Sequence, residues 1–192
     1  MERIHKIWEH PLYQEQFQAL QKAESERIFC NHTLEHFLDV ARIAYIQNLE
    51  TGAGLSKVLI YAAALLHDIG RYRQIAHGIP HEKASAALAE RIMGECNFTQ
   101  EEIHTVCEAI LNHRGSTSSP DGTTPKAALE KRSSAAVPKD TLEICASSSG
   151  DSCQLLSQLL CRADKLSRNC FSCPAEGECN WSIDKKNRRI TI

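Results

Sequence analysis

Apolar positions recur at helical spacing along most of the chain. Tyr13, Phe17 and Leu20 share one face, and Pro11 suits the first turn of the helix that carries them. Leu34, Phe37, Val40, Ala41, Ala44 and Tyr45 predict a second helix, which stops before the run ETGAG. A third starts after Ser56, a candidate cap, and passes through an apolar run to His67-Asp68, where Gly70 can end it. A fourth is predicted from about His81 to Met93. Thr99 and Glu102 form a capping-box pattern ahead of Ile103, Val106, Cys107, Ile110 and Leu111. Leu155, Leu156, Leu159, Leu160, Ala163 and Leu166 define a last amphipathic helix. The pattern predicts an all-α protein.

Two stretches break the pattern. From about 115 to 152 the chain is rich in Ser, Thr, Pro, Gly and Ala, as in GSTSSPDGTTP, and reads as a mobile insertion or a functional lid. Within it, ALEKRSS predicts a short helix. In the Cys-rich tail, 170–192, Trp181 and Ile183 alternate, as do Ile190 and Ile192, around a polar DKKN, which predicts a small β-hairpin. The expected organisation is one domain over 1–192, with its core at about 30–168.

Composition narrows the function. The formal net charge of -2 does not suggest a general binder of nucleic acid or of a membrane surface. MERIHKIWEH has charges throughout and no apolar signal core, and the longest apolar run, Val58 to Leu66, is too short to cross a bilayer. A cytoplasmic location is the expectation. Nine His and nine Cys are then better read as metal ligands or reduced thiols than as disulfides.

A His-Asp doublet alone arises easily by chance, so its context decides. His67-Asp68 ends an apolar helix, where buried charges need partners and the helix dipole favours a cation. Other predicted helices supply matching groups. His32 and His36 lie four apart in NHTLEHFLDVARIA, His77 and His81 flank a helix start, and His113 closes AILNH. Asp164 sits inside the last apolar helix. Imidazoles and carboxylates brought together by several helices are how helical bundles build divalent transition-metal sites.

The order His36, His67-Asp68, His81, His113, Asp164, with HFLDVA, ALLHDIG and RADKLSR around it, resembles the HD superfamily of metal-dependent phosphohydrolases. The resemblance covers roughly Cys30 to Arg168. It implies an HD helical bundle in which His36, His67, Asp68 and Asp164 bind one metal. Asp68 would bridge to a second metal held by His81 and His113, as in the dinuclear members. His81 is preferred to His77 because HEKASAALAE resembles the family's helix at that point. His32 is a candidate partner orienting a ligand, or a surface residue. The segment between His113 and Asp164 is longer than expected for a compact member.

That resemblance implies one or two divalent ions (Fe, Mn, Co, Ni or Zn), with catalytic roles for Asp68, Arg71 and Lys165. Arg71, Arg114, Lys165 and Arg168 are the candidates for binding phosphate. The implied partner is a small phosphorylated substrate, a phosphoester or phosphoanhydride such as a nucleotide or dinucleotide. Two other functions fit the same fold, a di-iron oxygenase and a non-catalytic ligand-sensing module. Separately, the spacing of Cys170, Cys173 and Cys179, with Cys161 upstream, suggests a zinc or iron–sulfur site.

Overall fold

Eight α-helices and three short 3₁₀ turns account for the secondary structure of the described residues, 1–113 and 149–190, of the computed structural model. The helices are α1 (Glu2–Glu9), α2 (Pro11–Ala23), α3 (Leu34–Glu50), α4 (Lys57–Leu66), α5 (Arg71–His77), α6 (His81–Glu95), α7 (Gln100–Asn112) and α8 (Ser149–Leu166). Arg114, the predicted insertion up to residue 148 with its ALEKRSS helix, and Ile192 lie outside the described residues. α8 itself begins within the stretch read as insertion.

α4 is the axis of the fold. Its sequence KVLIYAAALL is apolar on nearly every side, and a helix of that kind must be covered all round. α1, α3, α6, α7 and α8 all pack against it. Ile60, Ala62, Ala63, Ala64, Leu65 and Leu66 are buried, together with Phe37 and Val40 of α3, Val106 and Ile110 of α7, and Leu159 and Ala163 of α8. The Tyr13 hydroxyl of α2 donates to the Leu65 carbonyl, fastening α2 beside the same end of α4.

Local signals set several ends. The Thr33 hydroxyl accepts from the His36 amide, which starts α3 and puts His36 in its first turn. The Thr99–Glu102 capping box forms at the start of α7. Ser56 occupies the N-cap of α4, but its hydroxyl makes no capping hydrogen bond.

Gly70 stands at a close approach of chains rather than at a left-handed turn. Its φ is -82°, an ordinary value. A Cβ there would overlap the Ser85 backbone nitrogen and lie 2.7 Å from Ala84 Cβ. The missing side chain lets the turn after α4 press onto α6, and the Gly70 amide donates to Ser85 Oγ at 2.9 Å.

The tail corrects one expectation. No strand and no hairpin occur among its described residues, and the chain instead turns at Cys170–Ser172, Glu176–Glu178 and Ile183–Lys185. Ile183 and Ile190 are exposed, with no apolar face to pair on. The polar residues between them bond elsewhere. The Asn187 amide donates to the carbonyls of Lys165 and Arg168, at the end of α8 and just beyond it, and Lys186 Nζ bonds Glu176.

Candidate metal centre

Five helices deliver their ends or inward faces to one place. His36, His67, Asp68 and Asp164 each offer a nitrogen or oxygen within 4.8 Å of the others, and Asp68, His81 and His113 form a second such group. Asp68 belongs to both, with Oδ2 3.5 Å from His67 Nε2 and Oδ1 3.2 Å from His81 Nε2. All but Asp164 are buried. In the first group, Asp164 Oδ1 is 3.3 Å from His36 Nε2 and 3.9 Å from His67 Nε2.

The imidazoles are oriented by one device. His67 is the C-cap of α4, and its Nδ1 donates to the Ala64 carbonyl at 2.7 Å. His113 repeats this at the end of α7, donating from Nδ1 to the Ile110 carbonyl at 2.5 Å. A carbonyl only accepts, so Nδ1 carries the proton, and in the neutral ring Nε2 keeps the lone pair that can take a metal. His36 Nδ1 lies 3.1 Å from Ser167 Oγ, whose own proton goes to the Asp164 carbonyl, so His36 Nδ1 is again the donor. His81 Nδ1 lies 3.0 Å from Glu82 Oε2, a carboxylate–imidazole pairing common behind metal ligands.

Electrostatics agree with a cation site. Burial pushes the Asp164 carboxyl up, but the contacts with His36 and His67 and the charge of Arg168 outweigh it and hold the group far below the ordinary range. Asp68 is also held well below its usual value: burial opposes, and the charge of His67, the His32 contact and Arg71 prevail. Burial drives His36 down to about 4. His67 moves up, because the charge of Asp68 and the contact with Asp164 overcome burial. His67 Nε2 and Asp68 Oδ1 are buried yet make no well-formed hydrogen bond among the described residues. Buried polar atoms of this kind are costly unless something else satisfies them, and a divalent cation fits both their positions and their chemistry.

The basic residues divide. Arg71 Nε lies 3.3 Å from Asp68 Oδ1. Arg168 Nη2 reaches both Asp164 Oδ1, at 2.8 Å, and His36 Nε2, at 3.3 Å. It also borders a cleft of about 330 Å³ that opens beside His36, lined in part by Asn31, Asp39 and Cys170. Lys165 is exposed and lines a different cleft, with Asn112, Ser157 and Cys161. His77 lies on α5, away from both groups, and is exposed.

The cysteine expectation is corrected. Cys161, Cys170, Cys173 and Cys179 are free thiols, and they form no ligand group among the described residues. The ten residues from Cys161 to Cys170 contain the last turn of α8, which puts Cys161 on one cleft and Cys170 and Cys173 on another.

Sequence reasoning missed Glu24, Glu82 and Ser167. Glu82 and Ser167 adjoin or closely follow named candidates, so a search of their flanks for hydrogen-bonding types would have found them. Glu24 carries no such signal. It ends α2, where a charged residue ordinarily faces water, yet it is buried and its carboxylate bonds His32 twice. Burial raises its pKa, but the His32 contacts prevail and hold it below the ordinary value.

Comparison with known proteins agrees with this arrangement. Residues 33–169 match the family described as HD domain, and the chain belongs to that family. HD domains are generally metal-dependent phosphohydrolases. The chain is also 36% identical over 190 residues to an uncharacterized protein of Clostridium beijerinckii (strain ATCC 51743 / NCIMB 8052), covering 99% of each. No solved structure gives a significant match. No helix among the described residues is long and apolar enough to cross a membrane.

Proposed function

We propose that this protein is a two-metal hydrolase of a small phosphoester or phosphoanhydride, a nucleotide or dinucleotide being the class that fits best. His36, His67, Asp68 and Asp164 would hold one ion. His81 and His113 would hold the second, with Asp68 shared between them. The observation that carries the reading is the common orientation of the imidazoles: His36, His67 and His113 each give their Nδ1 proton to an outer acceptor and turn Nε2 toward the two aspartates.

Bound divalent ions would supply a water acidic enough to ionise near neutral pH and a counter-charge for phosphate oxygens. The chain's own residues do the rest. Asp68 presents one oxygen to each group and so sets their separation. Arg71, beside Asp68, adds a fixed positive charge where a phosphate would approach. Arg168, at the cleft by His36, is placed to grip a phosphate with its planar fork. The buried walls of α3, α4 and α7 limit water around the ligands.

The test is metal analysis of the purified protein together with a hydrolysis screen over nucleotides, dinucleotides and simple phosphomonoesters, with Asp68→Ala as control. Two equivalents of metal in the wild type, fewer in Asp68→Ala, and cleavage that follows metal content are expected. Equal metal in both proteins would overturn the centre. Bound metal without cleavage of any phosphorus compound would overturn the hydrolase reading.

A further inference from the structure

The Glu24–His32 pair lies beside the centre but belongs to neither group. Both residues precede the stretch matched to the HD domain, which begins at residue 33. Glu24 ends the α2 segment and is 4% exposed, and His32, in the loop before α3, is 1% exposed. Glu24 Oε1 accepts from His32 Nδ1 at 2.7 Å, and Oε2 accepts from the His32 backbone amide at 2.8 Å. The loop is held from a second side by Gln21, whose Nε2 donates to the His32 carbonyl at 2.8 Å. Arg27 lies 3.3 Å from Glu24 Oε1 on the outer side.

The far edge of the ring meets Asp68. His32 Nε2 lies 3.1 Å from Asp68 Oδ2. His32 resembles the other inward histidines in giving Nδ1 to an outer acceptor. It differs in that Nε2 completes no ligand group and faces a carboxylate oxygen, which only accepts, so its reach into the centre is through Asp68 and needs a proton on Nε2. Burying a carboxylate and an imidazole against a second carboxylate is costly unless each is closely partnered, so this chain of contacts is a built feature rather than an incidental one.

We propose that Glu24, acting through His32, is the positioning device for Asp68. Asp68 needs its two oxygens to point in different directions, Oδ2 toward His67 and Oδ1 toward His81. A carboxylate turns about its last bond with little resistance. His32, clamped by Glu24 at two points, holds Oδ2 in place and so leaves Oδ1 aimed at the second group. Without the clamp the four-residue group keeps three other ligands, whereas the three-residue group keeps two. The second equivalent of metal therefore depends most on the pair. This inference rests on the metal-centre reading above.

The experiment titrates the metal-free full chain with Co²⁺, following bound-ion absorbance and stoichiometry, for wild type, His32→Leu and Glu24→Gln. Circular dichroism and Tm of the metal-free proteins report folding. The expected result is a first equivalent bound within about threefold of wild type and a second weakened 10- to 100-fold, the usual cost of losing a residue that orients a ligand. If His32→Leu does not fold, Glu24→Gln, which keeps the volume and one acceptor, carries the test. Folded variants that bind both equivalents with wild-type affinity, even with a lowered Tm, would overturn the inference and assign the pair a structural role. A wild type that takes up no Co²⁺ would instead overturn the metal centre itself, and with it this inference.

Discussion

Arg168 Nη2, just past the end of α8, stands 2.8 Å from Oδ1 of Asp164 in the last turn of that helix, and the same nitrogen reaches His36 Nε2 at 3.3 Å. The guanidinium thus covers two of the atoms that a metal ion would take. Arg168 is buried, and its charge is held firmly by Asp164. A cation already seated on these ligands competes with any ion that enters.

The competition has a sign. Arg168→Gln is expected to bind the first equivalent of divalent metal about tenfold more tightly, since a charge-assisted contact of about 1.5 kcal/mol no longer has to be broken. The metal-free variant loses Tm because Asp164 loses its partner, so the rise in Tm on adding metal grows. Titration calorimetry and melting curves with and without Mn²⁺ check both. A weaker first equivalent would assign Arg168 to orienting the ligands instead.

Metal uptake is expected to release protons. Asp68 and Asp164 raise His67 above its ordinary value, so in the metal-free protein its Nε2 keeps a proton to a higher pH than a free imidazole does. A metal takes that position only as the proton leaves. Apparent affinity should fall about tenfold per pH unit once the pH is below the raised value. Folding has the opposite dependence: a raised histidine stabilises the metal-free protein fully below the unfolded value near 6.5, and that stabilisation is lost as pH rises through the folded value. Calorimetry in two buffers of different ionisation heat measures the proton count. Zero release would contradict the assignment of His67.

Arg3 ties α1 to α7. Its guanidinium bonds both oxygens of Glu102, at 2.6 and 2.9 Å, and lies 4.3 Å from the centre of the Phe98 ring. Arg3→Ala should cost about 1 kcal/mol at neutral pH, the upper end for a partly exposed pair of good geometry. The Arg3 contact, helped by the Thr99 bonds, outweighs burial and holds Glu102 below its ordinary value. The stabilisation is therefore present above the unfolded value near 4.3 and is lost as pH falls through the folded value. Urea melts of wild type and variant at pH 7 and pH 3 should differ at the first and converge at the second.

Two glycines give opposite outcomes on change to alanine. A Cβ at Gly70 collides with the α6 backbone, and overpacking of that kind costs about 2 kcal/mol. Gly94, inside α6, has open space around its Cβ position, and alanine there should add about 0.5–1 kcal/mol of helix stability. Chemical denaturation of both variants checks the pair, and the Gly70 variant is also expected to lose metal, since Gly70 follows Asp68 closely.

The local part of this protein was legible in its sequence. Helix periodicity, the Thr99–Glu102 box and the order of His36, His67-Asp68, His81, His113 and Asp164 each depend on residues a few positions apart. Local readings also failed where the signal was weak. α1 carries Ile4, Ile7 and Trp8 at helical spacing, but within a run of charges. α5 is seven residues long with no buried face. The tail's alternation suggested strands that no partner surface supports.

What only the tertiary structure decided is which polar residues are buried and what they meet. Arg168 meets His36 across 132 positions of chain, and Glu24 is buried because α2 and the loop before α3 close over it. The sequence determined that a set of imidazoles and carboxylates would sit at helix ends, because spacing and capping act within a turn or two. It could not determine that Arg168 would occupy the ligand atoms, or whether His32 would face Asp68 or solvent, because those contacts exist only once separate helices pack around α4 and exclude water.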